Sequence, residues 1–467
     1  MKRFWLVLLT LGLVMAFSTS VFAADVKFTG SFYAAGMYLD STTLRGNGQD
    51  KPSTAFYYQR MRIQAEFIAT PALKLVTRFD AMERIWGGVR SAAAVTPFFG
   101  DPASDPESAG TRRENENIAF DYAYIWYASK IGLWQVGILS DNVWGTTFGN
   151  NDEPEGQIHW TLVKMPFIVG PKVVKIADNS RAAVNSISGL YGNQADVDAD
   201  KYLAYGIYNF KGNNIAGQVG LLGYYVRNAV LRIDLPLGED QFKQDVYGLI
   251  PYVKAKIGPV AVEAEAQYQW GKARDWESGI PVDDVKISSW YAYADALADF
   301  GMFYVGLTGA FVSGDGNPGD TKAKGTLDAG RDWNPLLILF NYDRTYWGGN
   351  LAGWNGTDAN NAMTNALFGM VRGGVRPVKD LDIMMAVAYA QAHKKMDRGA
   401  PGVASAATAS DDYGWEVDVT ATYKITNNLS YMLGVGYLFT GDYYQGSSSA
   451  NDVQDTFLVI NKLTLTF

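Results

Sequence analysis

The chain has 467 residues and a formal net charge of −8, with 28 tyrosines, 23 phenylalanines and 13 tryptophans but no cysteine. The lack of cysteine excludes disulfide bonds, thiolate catalysis and cysteine-held metals or haem in this chain. The acidic balance argues against nucleic acid as a partner.

The first 23 residues have the pattern of a secretory signal peptide. Lys2 and Arg3 precede an apolar stretch from Phe4 to Phe17, and Val21-Phe22-Ala23 supplies small residues for cleavage. This stretch is shorter than the ~20 residues that a transmembrane helix needs. We therefore expect cleavage after Ala23 and an exported domain at 24–467.

Amphipathic strands with a two-residue period follow from Asp25 onward. An aromatic content of 14% beside a mean hydropathy of −0.09 is typical of a barrel with aromatic residues toward lipid and polar residues toward a lumen. The pattern predicts eighteen strands, with sixteen as the alternative count: 25–39, 54–69, 73–86, 115–129, 132–140, 157–168, 171–181, 200–211, 215–230, 243–257, 260–274, 286–299, 302–313, 365–379, 381–395, 413–426, 429–441 and 455–467.

Short and long connections alternate between these strands. The short ones have turn residues: Thr70-Pro71-Ala72, Lys130-Ile131, Val169-Gly170, Gly212-Asn213-Asn214, Gly258-Pro259, Phe300-Gly301, Val378-Lys379-Asp380 and Thr426-Asn427-Asn428. The alternation predicts an all-β fold, a transmembrane antiparallel up-and-down β-barrel with short periplasmic turns and long extracellular loops, the longest at 87–114 and 314–364. A soluble propeller would need internal repeats, and the sequence shows none.

The last predicted strand ends on an aromatic residue. Residues Phe457 to Phe467 are mostly apolar at every second position. In outer-membrane barrels the last strand pairs with the first and so carries no tail. This terminal strand resembles the assembly signal of that class, and the resemblance implies such a role for Phe467.

The charged residues of the strands indicate a water-filled lumen. A charge that faces lipid at mid-membrane costs ~2–4 kcal/mol, so charges that alternate with apolar residues should face inward. This rule predicts a pore lining of Arg60, Arg62, Glu66, Arg78, Asp80, Asp121, Glu263, Glu265, Arg372, Arg376, Glu416 and Asp418. Opposite Asp121, it predicts an outer face of Phe120, Tyr122, Tyr124 and Trp126.

The arginine cluster Arg60, Arg62 and Arg78 has two interpretations. Guanidinium groups can form an electropositive wall that attracts anionic solutes. Alternatively, the arginines form an ion-pair ladder with carboxylates such as Asp80 and Asp121, which stabilises the barrel. The two interpretations are compatible if opposed charged walls set a field across the pore.

Other candidate sites are weak. The apolar run Asn334–Phe340 in the longest loop would fold into the barrel mouth, pack on a partner or cap the rim. Asp315–Asp320 is rich in oxygen ligands but lacks the glutamate of an EF-hand, since Thr326 occupies that position. We expect no metal and no cofactor. No nucleophile–base pair marks an enzyme.

The signal peptide, the eighteen-strand pattern and Phe467 resemble Gram-negative outer-membrane porins over the whole mature chain. The Arg60-x-Arg62 strand and Asn334-Pro335-Leu336-Leu337 look like the alginate-export and related eighteen-stranded, substrate-selective channels. The porin resemblance implies an outer-membrane protein in contact with lipid, with passive diffusion of small hydrophilic solutes.

A homo-oligomer such as a trimer, or a periplasmic or extracellular partner protein, also fits this class. Two alternatives stay open. One is a sleeve around an exported polymer or a multihaem electron-transfer protein, which would supply the haem. The other is a structural or adhesive barrel.

Overall fold

The computed structural model describes residues 25–46, 52–87, 118–178, 197–231, 242–276, 283–317, 319–359, 362–395 and 408–467. Within them, eighteen long strands pair antiparallel with their neighbours in the sequence, and the last strand pairs with the first. The predicted up-and-down barrel of eighteen strands is therefore confirmed. The predicted signal peptide, and all but Gly87 of the predicted 87–114 loop, lie outside the described residues.

The barrel strands are β1 (Asp25–Leu39), β2 (Thr54–Thr70), β3 (Leu73–Ile85), β4 (Ile118–Ser129), β5 (Gly132–Asp141), β6 (Glu153–Lys164), β7 (Phe167–Ala177), β8 (Ala199–Lys211), β9 (Ile215–Asn228), β10 (Phe242–Ile257), β11 (Val260–Trp276), β12 (Val285–Asp299), β13 (Phe303–Val312), β14 (Ala366–Val378), β15 (Leu381–Ala392), β16 (Asp412–Lys424), β17 (Leu429–Thr440) and β18 (Thr456–Thr466). Two-residue strands at Lys322–Ala323, Leu351–Ala352 and Asp358–Ala359 and one helix, α1 (Tyr342–Gly348), lie in the long connection before β14. In the part of the chain described above, no helix has the length and apolarity to span a membrane.

The short and long connections alternate as predicted, with one turn misplaced. The turn between β6 and β7 lies at Met165-Pro166, whereas the sequence indicated Val169-Gly170. Gly170 instead pairs with Tyr205 inside β7. Pro166 cannot donate a ladder hydrogen bond, which favours the turn there. The apolar residues on both sides of Pro166 hide the turn in the pattern.

The barrel wall has an apolar outer face and a polar inner face. Alternate residues of a strand point to opposite faces, and outward residues such as Phe120, Leu221 and Leu307 are more than half exposed. Outer aromatic rings stack between strands, with the Tyr225 and Tyr247 centroids 4.8 Å apart. Such a face suits contact with lipid.

The two faces of β4 differ from the prediction because of a β-bulge. The pairing of β3 with β4 shifts between Arg78 and Phe79. As a result, Asp121 and Tyr122 both contact Arg78 on the inner side: the carboxylate lies 2.9 Å from Nε and the ring centroid lies 3.6 Å from the guanidinium carbon. The predicted outer position is therefore wrong for three residues: Tyr122, Tyr124 and Trp126. Phe120 does lie on the outer face.

The terminal strands close the ring. The Gly30 N–H donates to the Phe467 carbonyl at 2.8 Å, and the Phe467 N–H donates to the Gly30 carbonyl at 3.0 Å. The Phe467 ring covers Gly30 so closely that a Cβ there would lie 2.9 Å from a ring carbon. The assembly role of Phe467 stays a prediction.

Candidate functional site

Two connections fold into the barrel: the short inner loop (residues 142–152) and the long inner loop (residues 313–365). The Phe148 ring stacks on Tyr293, an inward residue of β12, with the centroids 4.9 Å apart. Trp333 packs edge-on against Phe368, an inward residue of β14, at 5.2 Å. Phe340 of the apolar run also packs edge-on against Phe368, at 5.8 Å. The run therefore folds inside the barrel, which was one of its predicted positions.

Glu265 of β11 holds the short inner loop. Its buried carboxylate accepts hydrogen bonds from the Thr146 N–H at 2.5 Å and the Tyr291 hydroxyl at 2.6 Å. Gly145 and Gly149 lie so close to this carboxylate that a Cβ on either would clash with it. The two glycines thus let the loop backbone reach a carboxyl group on the strand.

Glu416 and Asp418 of β16 hold the long inner loop. Glu416 accepts the N–H groups of Ile338 and Leu339, both at 2.7 Å, and Asp418 accepts the Leu337 N–H at 2.9 Å. Both carboxylates are buried. Three backbone N–H groups thus find acceptors on one strand, and these contacts fix the loop backbone against β16.

Arg344 stabilises the long inner loop by hydrogen bonds to the backbone of the same loop. It lies in α1, which begins after the N-cap Asn341, whose side chain accepts the Arg344 N–H. The buried guanidinium donates to the carbonyls of Ile338, Gly349 and Ala359. Burial lowers the pKa of Arg344 to about 10, against the opposing charge of Glu416.

The two inner loops also bind each other. The Gly330 N–H donates to the Phe148 carbonyl at 2.6 Å, and the Asp152 N–H donates to the Asp332 carboxylate at 3.2 Å. The rings of Phe148 and Trp333 meet edge to face at 5.0 Å. The loops therefore form one assembly inside the barrel.

The predicted arginine cluster lies beside this assembly as an ion-pair ladder. Arg62 donates two hydrogen bonds to Asp80, at 2.7 and 2.6 Å. Arg78 donates to Asp121 at 2.9 Å and to Asp152 of the short inner loop at 3.0 Å. The arginines thus connect strands β2, β3 and β4 to the loop.

Asp152 remains charged in this ladder. Burial alone would raise its pKa, but hydrogen bonds from Ser140 and Tyr122 and the charge of Arg78 outweigh burial and hold the pKa below its usual range. Arg60 completes the group, 3.5 Å from Glu83.

The eyelet group, as we name these charges, contains more acids than bases: Arg60, Arg62, Arg78, Asp80, Glu83, Asp121, Asp152 and Asp332. With three cations and five carboxylates, its formal charge is −2. An ion-pair ladder therefore describes the geometry better than an electropositive wall.

The other predicted lining residues divide into two sets. Glu265, Glu416 and Asp418 lie beneath the loops, as described above. The remainder lie on the inner face toward the short turns, in local pairs: Glu66 with Lys74, Glu263 with the Tyr293 hydroxyl, Arg372 with Asp295, and Arg376 with Asp299 and Asp382.

Sequence reasoning missed a further ion-pair cluster at the long-loop end. The buried Asp141 accepts hydrogen bonds from both Lys172 and Lys201. Alternation with the outward residue Val173 would have placed Lys172 on the inner face, but the misplaced turn before β7 obscured that strand. Asp152 and Asp332 were also missed because they lie in loops, where no period marks a face.

The oxygen-rich segment at 315–320 uses its carboxylates for turns. Asp315 accepts the N–H groups of Asn317 and Lys324 at 2.9 and 3.1 Å, and Asp320 accepts that of Lys322 at 2.6 Å. These bonds shape the start of the long inner loop.

A closed barrel with an apolar exterior, a charged interior and inserted loops has the fold of a Gram-negative outer-membrane porin. The structure is similar to OccK9 (OpdG) of Pseudomonas aeruginosa, with a TM-score of 0.51 and 14% identity over 95% of this chain and 99% of that chain. OccK2 (OpdF) of the same organism has a TM-score of 0.49 and 12% identity, over 94% of this chain and 98% of that chain. The outer-membrane protein OpdK, also of P. aeruginosa, has a TM-score of 0.46 and 13% identity, over 94% of this chain and 99% of that chain. No protein-family model and no curated protein matches the chain.

Proposed function

We propose that this chain is an outer-membrane channel through which small hydrophilic solutes diffuse passively. The observation that carries the proposal is the loop assembly, which buried carboxylates of β11 and β16 hold inside a closed, charged barrel. Loops that narrow a charged lumen are the construction by which a pore selects by size and charge. The short turns then face the periplasm and the long loops face outward.

The fixed loops disfavour the sleeve for a threaded partner. Phe148 and Trp333 occupy lumen space that a polymer or a multihaem protein would need. An adhesive barrel would present its longest described loop to the outside, whereas residues 334–341 turn inward onto Glu416 and Asp418. A diffusion channel accounts for both features.

The eyelet group is the proposed element of charge preference. Its net charge of −2 favours cations beside the inner loops, while its arginines offer fixed donors to passing solutes. Selection by size would come from the loop assembly, because it occupies the cross-section that eighteen strands enclose.

Conductance of the purified protein in planar bilayers tests the proposal. We expect stable single-channel steps without any added partner, and swelling of proteoliposomes in glucose and in glucuronate, which differ by one carboxylate. A folded, heat-modifiable protein that gives neither conductance nor swelling would reject the channel and favour a structural barrel.

A further inference from the structure

Unpaired lysines occupy the inner face at the short-turn end of the barrel. Lys254 lies across from Gln218, and Lys211 and Lys256 both lie across from Ala216. Lys254 and Lys256 line a cavity of about 530 Å³. Within the described residues, the three ammonium groups make no ion pair and no hydrogen bond.

The neighbouring carboxylates are already engaged. Asp295 accepts two hydrogen bonds from Arg372, at 2.6 and 2.8 Å, and one from Thr308. Glu263 accepts the Tyr293 hydroxyl at 3.0 Å. Glu263 is also the cross-strand partner of Lys254, but within the described residues their side chains form no ion pair.

The whole inner face at this end has a net positive charge. The described charged residues that strand register places there are Asp25, Lys27, Glu66, Lys74, Lys211, Lys254, Lys256, Glu263, Asp295, Asp299, Arg372, Arg376, Asp382 and Lys424. Eight cations against six carboxylates give +2. We name this set the mouth group.

The loop end has the opposite sign. The eyelet group has a charge of −2, and Arg331 adds one cation beside two carboxylates, Asp328 and Glu153. The cluster of Lys172 and Lys201 with Asp141 and the nearby Glu155 is neutral in sum. Among the described residues named here, the lining thus changes from net negative at the inner loops to net positive at the short turns.

We infer that this pore is electrically polar along its axis and conducts ions better in one direction than in the other. The inference rests on the proposed channel function and adds a property that the barrel fold alone does not imply. Fixed charge on a pore wall raises the local concentration of the opposite ion. Cations therefore collect at the loop end and anions at the short-turn end.

The sign of the asymmetry follows from where each ion enters. With the long-loop side positive, the voltage drives cations in through the cation-rich end and anions in through the anion-rich end, so both zones fill and the current is large. With the voltage reversed, both ions leave the region between the zones, and the current is small. Wall potentials of several kT change local ion concentrations by about tenfold or more. Screening by salt weakens this effect, so we expect a current ratio on the order of two in dilute salt.

Single-channel recordings in 0.1 M and 1 M KCl test the inference in protein inserted from one side. The Debye length falls from ~10 Å to ~3 Å between these salts, so the current ratio at equal and opposite voltages should approach one in 1 M KCl. The triple variant Lys211→Gln, Lys254→Gln and Lys256→Gln should lose most of the ratio in 0.1 M KCl.

A matched control removes three lysines that lie at the same end of the barrel but do not belong to the mouth group. Lys130→Gln, Lys164→Gln and Lys379→Gln lie at the short turns and should change the ratio less. Equal currents at both polarities in 0.1 M KCl would overturn the inference while leaving the channel function intact. So would a current ratio that is unchanged in the triple variant of Lys211, Lys254 and Lys256. If the wild-type protein shows no conductance, the channel function is rejected, and the asymmetry of the current is rejected with it.

Discussion

Glu265, Glu416 and Asp418 bind loop backbone rather than facing open lumen. Strand alternation places all three on the inner face, but their partners are the N–H groups of residues 146 and 337–339. Every residue except proline has a backbone N–H group, so residue types do not show which N–H a carboxylate binds. The pattern therefore located these carboxylates without identifying their partners. Each one adds a fixed contact between a strand and an inner loop.

Glu265→Ala should release the short inner loop. The Thr146 N–H and the Tyr291 hydroxyl would lose their acceptor, at a cost of ~1–3 kcal/mol for each group that stays unsatisfied. We expect a larger single-channel conductance in 1 M KCl and a lower unfolding temperature in detergent.

Glu263→Gln is the matched control for this substitution. Glu263 lies two residues earlier on the same strand and accepts one hydrogen bond, from Tyr293 of β12, so conductance should stay near the wild-type value. Unchanged conductance in Glu265→Ala, with the fold intact, would contradict an anchoring role for Glu265.

Asp152 should make stability depend on pH in the acid range. Its pKa is lower in the folded protein than in the unfolded chain, so its stabilising contribution is fully present above the unfolded pKa of ~3.9 and is lost as pH falls through the folded value. Asp152→Asn should therefore lower the unfolding temperature at pH 7. The difference from wild type should shrink in titrations below about pH 4, and a difference that is constant between pH 7 and pH 3 would exclude Asp152 as its source.

At the scale of strands, the sequence was informative wherever the period of two was unbroken. The predicted bounds of β1, β10 and β17 agree with the structure to within one residue. Two features failed for physical reasons. The bulge in β4 adds one residue to the strand, and no change in residue type marks its position. The turn at Pro166 lies between apolar residues, so the apolar pattern of the strands continues through it. A reversed face follows from any one-residue shift.

Single cysteines on β4 test the corrected face. The chain has no native cysteine, so Tyr124→Cys should react with a water-soluble maleimide and Ile125→Cys only with a lipid-phase reagent. The two positions are neighbours on one strand, so each controls for the other. The opposite result would restore the original alternation and remove the bulge from the native barrel.

At the scale of the whole molecule, the strand count, the closure and the inner-face assignment of strand charges such as Arg62 and Asp80 follow from sequence, whereas the loop contacts do not. Arg62 and Asp80 lie on adjacent strands as Cα partners, and alternation alone assigns both to the lumen. Asp152 reaches Arg78 only because the short inner loop folds inward. The net charge of the pore therefore depends on loop positions that residue patterns cannot supply.

In the proposed channel, the pair Arg62 and Asp80 should affect both ion selectivity and stability. Arg62→Gln removes a cation and leaves Asp80 without its bidentate partner. The reversal potential under a KCl gradient should shift toward cations. The unfolding temperature should fall, because the buried Asp80 carboxylate loses the cation that compensates it.

The double variant Arg62→Gln and Asp80→Asn separates these two effects. It preserves the net charge of the eyelet group, so the reversal potential should return toward the wild-type value. Unfolding should recover in part, since an amide pair can still form hydrogen bonds, and the coupling between the substitutions measures the interaction. If Arg62 instead acted as a free anion-attracting wall, the double variant would be as cation-selective as Arg62→Gln, and Asp80→Asn alone would leave stability unchanged.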